Sequence, residues 1–258
     1  MHRSASRSEP GDTVTSLRVV TYNVHGLRDD RGALVEVVRD LEPDVLVVQE
    51  APRRLRWRTR NAHLAHDLGL VYVTGGADSL GNVIMTALRV RTLETWALRY
   101  PLVPGRHMRG AAFARCQVAE GSFVVVGSHL SINAAERSAQ AHQLTKALAD
   151  IDGPVILAAD LNESPDGPVW RVLGERLVDA GHTSPGGGPT VPGGDTFPAG
   201  DTFPAGDTFP AGTPDRRIDA VLVDPRITVT GYRVVDLAAA RRASDHLPVV
   251  ADLTLPAA

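Results

Sequence analysis

The residues of this chain best equipped for chemistry fall in six short polar clusters: TYNVHG (21–26), VVQE (47–50), GSHL (127–130), AADLNE (158–163), RIDAVLV (217–223) and ASDHLPV (243–249). They hold carboxylates, carboxamides and imidazoles. Hydrolysis of a phosphoester in neutral water needs a cation on the non-bridging oxygens, a base to prepare water, and donors for the charge that develops. These residue types supply all three. Carboxylate and amide oxygens suit a hard cation, Mg²⁺ with Mn²⁺ as its substitute, far better than zinc. Glu50, at the end of the apolar run DVLVVQ, is the leading ligand. Asn23 can turn an amide oxygen to a metal or an NH₂ group to a phosphate. Asp160 and Asn162 stand two residues apart, so an extended backbone would direct both to one face. Each also has a plainer reading. Glu50 is then a solvated strand end, Asn23 a turn residue, His129 a structural histidine, and Asp160 with Asn162 an Asx turn opening into ESPDGP.

The elements that must position these clusters are short and apolar. Runs such as DVLVV, FVVV and PVILA are rich in valine and isoleucine and bounded by turn residues, the pattern of strands buried on both faces. Strands are predicted at 17–24, 44–49, 71–73, 82–88, 90–98, 111–118, 123–130, 154–159, 218–223, 227–235 and 247–253. Helical periods occupy Arg31 to Leu41 and Ala134 to Ala149, and an arginine-rich helix is predicted over Arg53 to Leu68. Early strand and helix alternation, followed by consecutive strands, argues for mixed sheets.

Composition bounds the rest. The chain has 258 residues, 43% hydrophobic and 22% charged, with a formal net charge of −3. That fits one domain with no global pull toward polyanions. Cys116 is the only cysteine, which excludes an intramolecular disulfide framework, and its neighbours AAFARCQV read as a strand with an inert core thiol. The first 16 residues carry arginines but no apolar stretch, so they are read as a disordered tail before a domain at 17–258. Without a spanning segment or a signal sequence, the expectation is a cytoplasmic monomer. The stretch 181–216 repeats GDTFPA at 194–199, 200–205 and 206–211, and its spaced Gly and Pro predict an extended surface loop.

Taken in order, the six clusters resemble the endonuclease/exonuclease/phosphatase superfamily, the DNase I-like group of Mg²⁺-dependent phosphoesterases, over about residues 17 to 253. The resemblance implies an α/β fold of the α+β type: a four-layer sandwich of two packed mixed β-sheets flanked by helices, with the site at one end. It implies metal ligation by Glu50, Asn23 and Asp245, with Asp160 orienting or deprotonating water and Asn162 holding the scissile phosphate. His129 becomes a donor to the transition-state oxygen. Asp219 and His246 become a carboxylate and imidazole pair that favours the charged ring. GNVIMTAL at 81–88 resembles another step of the family, making Asn82 a substrate contact or a turn residue. The third repeat copy, TFPAGTPDRRID, fits the family's threonine, aromatic and proline step, so the two earlier copies read as an inserted duplication.

The expected activity is therefore metal-dependent hydrolysis of a phosphodiester or phosphomonoester by direct water attack. The substrate is a nucleic acid or a phosphorylated lipid or inositol headgroup. The alternatives are a non-catalytic phosphate- or metal-binding protein on the same scaffold and a zinc hydrolase. His63 and His66 lack a third partner for zinc, the run RRLRWRTR reads as a solvated helical face, and Gly186 to Gly188 lacks a P-loop lysine.

Overall fold

The computed structural model describes residues 15–183 and 206–256. The chain opens with β1 (Thr15–Asn23), α1 (Arg31–Leu41), β2 (Val45–Gln49), α2 (Trp57–Asp67), β3 (Val71–Gly75), β4 (Val83–Thr86), β5 (Arg91–Arg99), β6 (Gly110–Val118) and β7 (Gly121–His129). It continues with α3 (Ala134–Ala149), β8 (Val155–Asp160), α4 (Pro168–Gly174), β9 (Val178–Asp179), α5 (Ala180–Thr183), β10 (Asp219–Val223), β11 (Thr228–Val234), α6 (Ala238–Ala243) and β12 (Val249–Leu255).

The strands form two six-stranded sheets, ordered β11, β12, β1, β2, β4, β3 and β5, β6, β7, β8, β10, β9. Each sheet is mixed, with one parallel pair at its centre: β1 with β2, and β7 with β8. Alternation along the strands builds three apolar layers. Val19, Val47, Val125, Ile156 and Val221 meet between the sheets. Val20, Leu46 and Val48 face α1, α2 and α6, while Val124, Leu157 and Leu222 face α3 and α4. Both faces of the central strands are therefore covered, which explains their unbroken apolar runs. Deleting a fully buried side chain such as Leu46 would cost about 2–5 kcal/mol. This is the expected four-layer sandwich.

The sheets approach closely beneath the site. A Cβ on Gly127 would lie 2.6 Å from Val47 Cγ1, so any larger residue there must push the Val47 side chain aside.

The elements differ from expectation in places with physical causes. α2 starts at Trp57, not Arg53, because Arg56 adopts a left-handed φ of 58° and Arg53 donates to the carbonyls of Leu80 and Met108. α4 and α6 were not expected. α4 hides in a segment of turn residues, and it forms because Pro168 opens it and Glu163 Oε2 accepts from the Val169 amide. β1 begins at Thr15, and the remainder of the predicted tail, 1–14, lies outside the described residues. So do the first two GDTFPA copies, in 184–205. Cys116 is buried in β6, and His63 and His66 are exposed. Among the described residues, no helix is long and apolar enough to cross a membrane.

Candidate active site

Strand register assembles the site before any loop contributes. His129 ends β7 beside Asp160, which ends β8, and Asp219 opens β10 opposite the same Asp160. Three polar side chains thus form a row across three neighbouring strands. From the other sheet, Asn23 pairs in register with Gln49, and Glu50 follows at once. Just beyond these ends, Glu50 and Asn162 both turn left-handed, with φ of 56° and 51°. That conformation is ordinary for asparagine but costly for glutamate, a strain that gathers at functional ends of strands.

The side chains close around Asp160, which is 1% exposed. Its Oδ2 accepts from Asn23 Nδ2 at 2.9 Å and lies 3.2 Å from His129 Nε2 and 3.9 Å from His246 Nε2. Its Oδ1 accepts from the Asn162 amide at 3.0 Å. The Asx turn and the site are therefore the same structure. Asn162 is not extended, so the equal-face expectation is corrected: the left-handed turn, not strand alternation, brings its side chain back. Asn162 Nδ2 donates to the Leu130 carbonyl and stands 3.0 Å from His129 Nε2. Glu163 points away, bound to Arg137.

The two histidines carry opposite charge states. Burial would lower His246, but the Asp219 carboxylate, bonded to Nδ1 at 2.8 Å, outweighs it with help from Asp160 and Asp245, and the pKa rises to about 9. Burial drives His129 down to about 3, with Arg109, His246 and Arg53 acting in the same direction and Asp160 opposing. One ring is a cation at neutral pH and the other is neutral.

The model of the Endonuclease/Exonuclease/phosphatase family matches residues 20–246. The chain belongs to this family. An endonuclease/exonuclease/phosphatase from Beutenbergia cavernae is 27% identical with a TM-score of 0.69, over 93% of this chain and 72% of the other. A mannosyl-6-phosphatase from Bacteroides thetaiotaomicron is 17% identical with a TM-score of 0.72, over 92% and 99%. D. rerio TDP2 complexed with single strand DNA product is 19% identical with a TM-score of 0.71, over 93% and 99%. The last two establish likeness of fold. A comparison with curated proteins gives no match.

Members of the endonuclease/exonuclease/phosphatase family are metal-dependent hydrolytic phosphoesterases, and the residues here fit a cation. Asp160, Asp219 and His246 lie with potential ligand atoms within 4.8 Å of one another, and with His246 protonated the two carboxylates are the oxygen donors of that group. Asp219 Oδ1 is buried with no hydrogen-bond partner among the described residues, a cost that a cation or a donor would relieve. Glu50 and Asp245 stand outside that trio. Glu50 is half-buried, and its charge acts on the Arg109 guanidinium. Asp245 is partly exposed, with Oδ2 3.8 Å from His25 Nε2. Asn23 turns its NH₂ toward Asp160, and its oxygen accepts from the His25 amide at 3.1 Å. Asn82 is fully enclosed and donates to the carbonyls of Ser79 and Gly110.

Arg109 and Ser244 escaped the sequence reading, whereas Thr208 and Phe209 belong to the repeat copy already matched to the family's threonine, aromatic and proline step. Arg109 donates to His129 Nδ1 at 2.9 Å, yet in sequence it is one of 27 basic residues, with no spacing to mark it. Ser244 Oγ donates to the Asn23 carbonyl and accepts from the His246 amide, tying the segment before β12 to the end of β1 in the same sheet. Thr208, in the third repeat copy, accepts on Oγ1 from the amides of Ile218 and Asp219, while Phe209 packs on the His246 ring at 4.7 Å. The threonine and phenylalanine of the repeat were its signal.

Proposed function

We propose that this chain is a Mg²⁺-dependent phosphoesterase that cleaves by direct attack of water, with no covalent enzyme intermediate. The observation that carries this reading is the convergence of N–H donors around one carboxylate. A neutral His129 that accepts on Nδ1 has its hydrogen on Nε2, and Asn162 Nδ2, committed to the Leu130 carbonyl, faces it at 3.0 Å. One Asn162 hydrogen goes to the Leu130 carbonyl and the ring N–H faces Asp160 Oδ2 at 3.2 Å, which leaves the second Asn162 hydrogen set against that N–H without an acceptor. An incoming phosphoryl oxygen satisfies both.

In this reading Asp160 accepts a proton from the attacking water or orients it, at the point where Asn23, His129 and Asn162 already fix its oxygens. Asn162 and His129 receive a non-bridging oxygen. The His246 cation, held by Asp219, meets the charge that grows in the pentavalent state, acting in a pocket where water screens it little. Glu50 and Asp245 would hold the Mg²⁺ with Asn23 nearby, and the bound cation would neutralise phosphate oxygens. Asn82 acts behind the site, through the Gly110 carbonyl.

The substrate is a nucleic acid or a small phosphorylated headgroup. The similar folds include one protein named for a sugar phosphate and one bound to a DNA product, so the scaffold suits both kinds of ester. A turnover panel of plasmid DNA, abasic oligonucleotide, sphingomyelin, inositol polyphosphate, a sugar phosphate and a generic phosphodiester, with Mg²⁺ or chelator, tests the reading. It expects chelator-sensitive release from at least one. Phosphate-ligand binding with no turnover of any would overturn it.

A further inference from the structure

We propose that Arg109 is a positioning residue for this reaction: it holds His129 in the tautomer that carries its hydrogen on Nε2, the nitrogen facing Asp160 and Asn162. The proposal rests on the phosphoesterase reading and adds a residue that the clusters did not contain.

A guanidinium offers only N–H donors, so its Nη1, 2.9 Å from His129 Nδ1, requires Nδ1 to accept. A neutral imidazole has one N–H, which must then be on Nε2. The opposite tautomer would let Nε2 accept from Asn162 Nδ2, 3.0 Å away, but would set N–H against N–H at Arg109 and a nitrogen lone pair against the Asp160 carboxylate, 3.2 Å away. Both repulsions would act inside a site where His129 is 4% exposed and nothing screens them. The arginine also adds to burial in keeping the ring uncharged.

Arg109 is not placed there by an ordinary salt bridge. Among the described residues its guanidinium forms no ion pair within 4 Å, and its buried Nε has no hydrogen-bond partner. Its backbone is fixed on all sides instead. The Arg109 carbonyl accepts from the Tyr100 amide, and the Met108 carbonyl accepts from Arg53 Nη1. The Gly110 carbonyl accepts from Asn82 Nδ2 and Ser128 Oγ. A Cβ on Gly110 would fall 2.4 Å from the Leu98 carbonyl oxygen, so β6 can start here only with glycine. Asn82 and Gly110 thereby acquire a purpose, which is to aim Arg109 at the ring.

The test combines nitrogen NMR of ¹⁵N-histidine-labelled protein with steady-state kinetics on the parent's best substrate, for the parent, Arg109→Met, Arg109→Gln and Arg109→Lys. In the parent, His129 should show an unprotonated Nδ1 and a protonated Nε2. In Arg109→Met the pattern should become mixed, with kcat reduced about tenfold or more and KM changed less than about threefold. Arg109→Lys should restore the parent pattern and part of kcat. Arg109→Gln keeps a neutral donor and serves if the methionine variant does not fold. An unchanged His129 pattern in Arg109→Met, or a loss confined to KM, overturns the proposal; the second result would make Arg109 a phosphate contact. His129→Ala separates the two levels. If that variant retains full turnover, the reading of His129 fails, while the NMR pattern still reports on Arg109.

Discussion

His129 and His246 come from different sheets and form two walls around Asp160, both nearly buried, with Nε2 3.2 Å and 3.9 Å from its Oδ2, yet one is neutral and the other charged. What differs is the partner behind each ring. A cation, Arg109, faces Nδ1 of His129, and an anion, Asp219, faces Nδ1 of His246. The arginine forces Nδ1 to accept, and the carboxylate forces it to donate. Both routes end with a hydrogen on Nε2, directed into the pocket. Burial alone would have made the two rings alike, so the charge of the site is set by the partner at each Nδ1.

Breaking the shared centre should have the largest effect. Asp160→Asn keeps one acceptor oxygen but removes the charge and the basic carboxylate on which both walls converge, and kcat should fall by about 10³-fold or more on every substrate the parent cleaves. Circular dichroism and the melting temperature should show the fold retained. Near-parental turnover would show that the convergence is structural only.

One wall was far more legible in the sequence than the other. Asp219 and His246 sit in RID and SDH steps whose order along the chain carries information, and strand patterning placed them at adjoining ends. Arg109 has no such mark, since its role depends on a β5 to β6 connection that aims it, and residues 101–109 carry no period. The sandwich was readable for a related reason. Strands covered on both faces must be apolar throughout, whereas α4 and α6 are short helices whose stability comes from a cap at Glu163 and from packing, not from a long repeating stripe. Asn162 shows the limit of spacing arguments: two residues of separation gave convergence, but through a left-handed turn.

Converting the His246 wall toward the His129 condition is the next step. Asp219→Asn keeps shape and removes charge, leaving burial to dominate, so His246 should titrate below its value of about 9 and toward or below the ordinary 6.5 or so. At neutral pH kcat should drop by roughly 10²-fold. Histidine NMR titration in chelator reads the first effect. An unmoved His246 would remove Asp219 as the source of its charge.

The same asymmetry sets opposite signs for stability against pH. His246 binds its proton more tightly folded than unfolded, so its contribution is complete below the unfolded value of about 6.5 and is lost as pH rises through about 9. His129 binds its proton less tightly folded, so its contribution is present above about 6.5 and is lost as pH falls toward about 3. Melting temperatures of metal-free protein should therefore decline on both sides of neutrality. His246→Gln should flatten the alkaline limb and leave the acid limb, and His129→Gln should do the reverse. Limbs that respond together would contradict the separation of the walls.

The smallest effect tests how the third repeat copy serves one wall alone. Phe209 packs against the His246 ring at 4.7 Å with a 50° tilt, and the Arg216 guanidinium lies over the same phenyl ring at 4.7 Å. A cationic imidazole beside an aromatic face gains electrostatically from the ring quadrupole, by about 0.5–2 kcal/mol where it is desolvated. Phe209→Leu keeps apolar bulk and discards the quadrupole, so it should lower the His246 pKa by a few tenths, cut kcat about two- to fivefold, and leave the His129 nitrogen signals unchanged. Thr208 separates this from simple loosening of the loop, because its hydroxyl binds the amides of Ile218 and Asp219 without touching the His246 ring. Thr208→Val should therefore cost stability through two unpaired buried amides, about 1–3 kcal/mol, and disturb the Asp219 end of β10. If Phe209→Leu left His246 unchanged and moved His129 instead, the repeat would act across the pocket, and the two walls could no longer be treated as independently tuned.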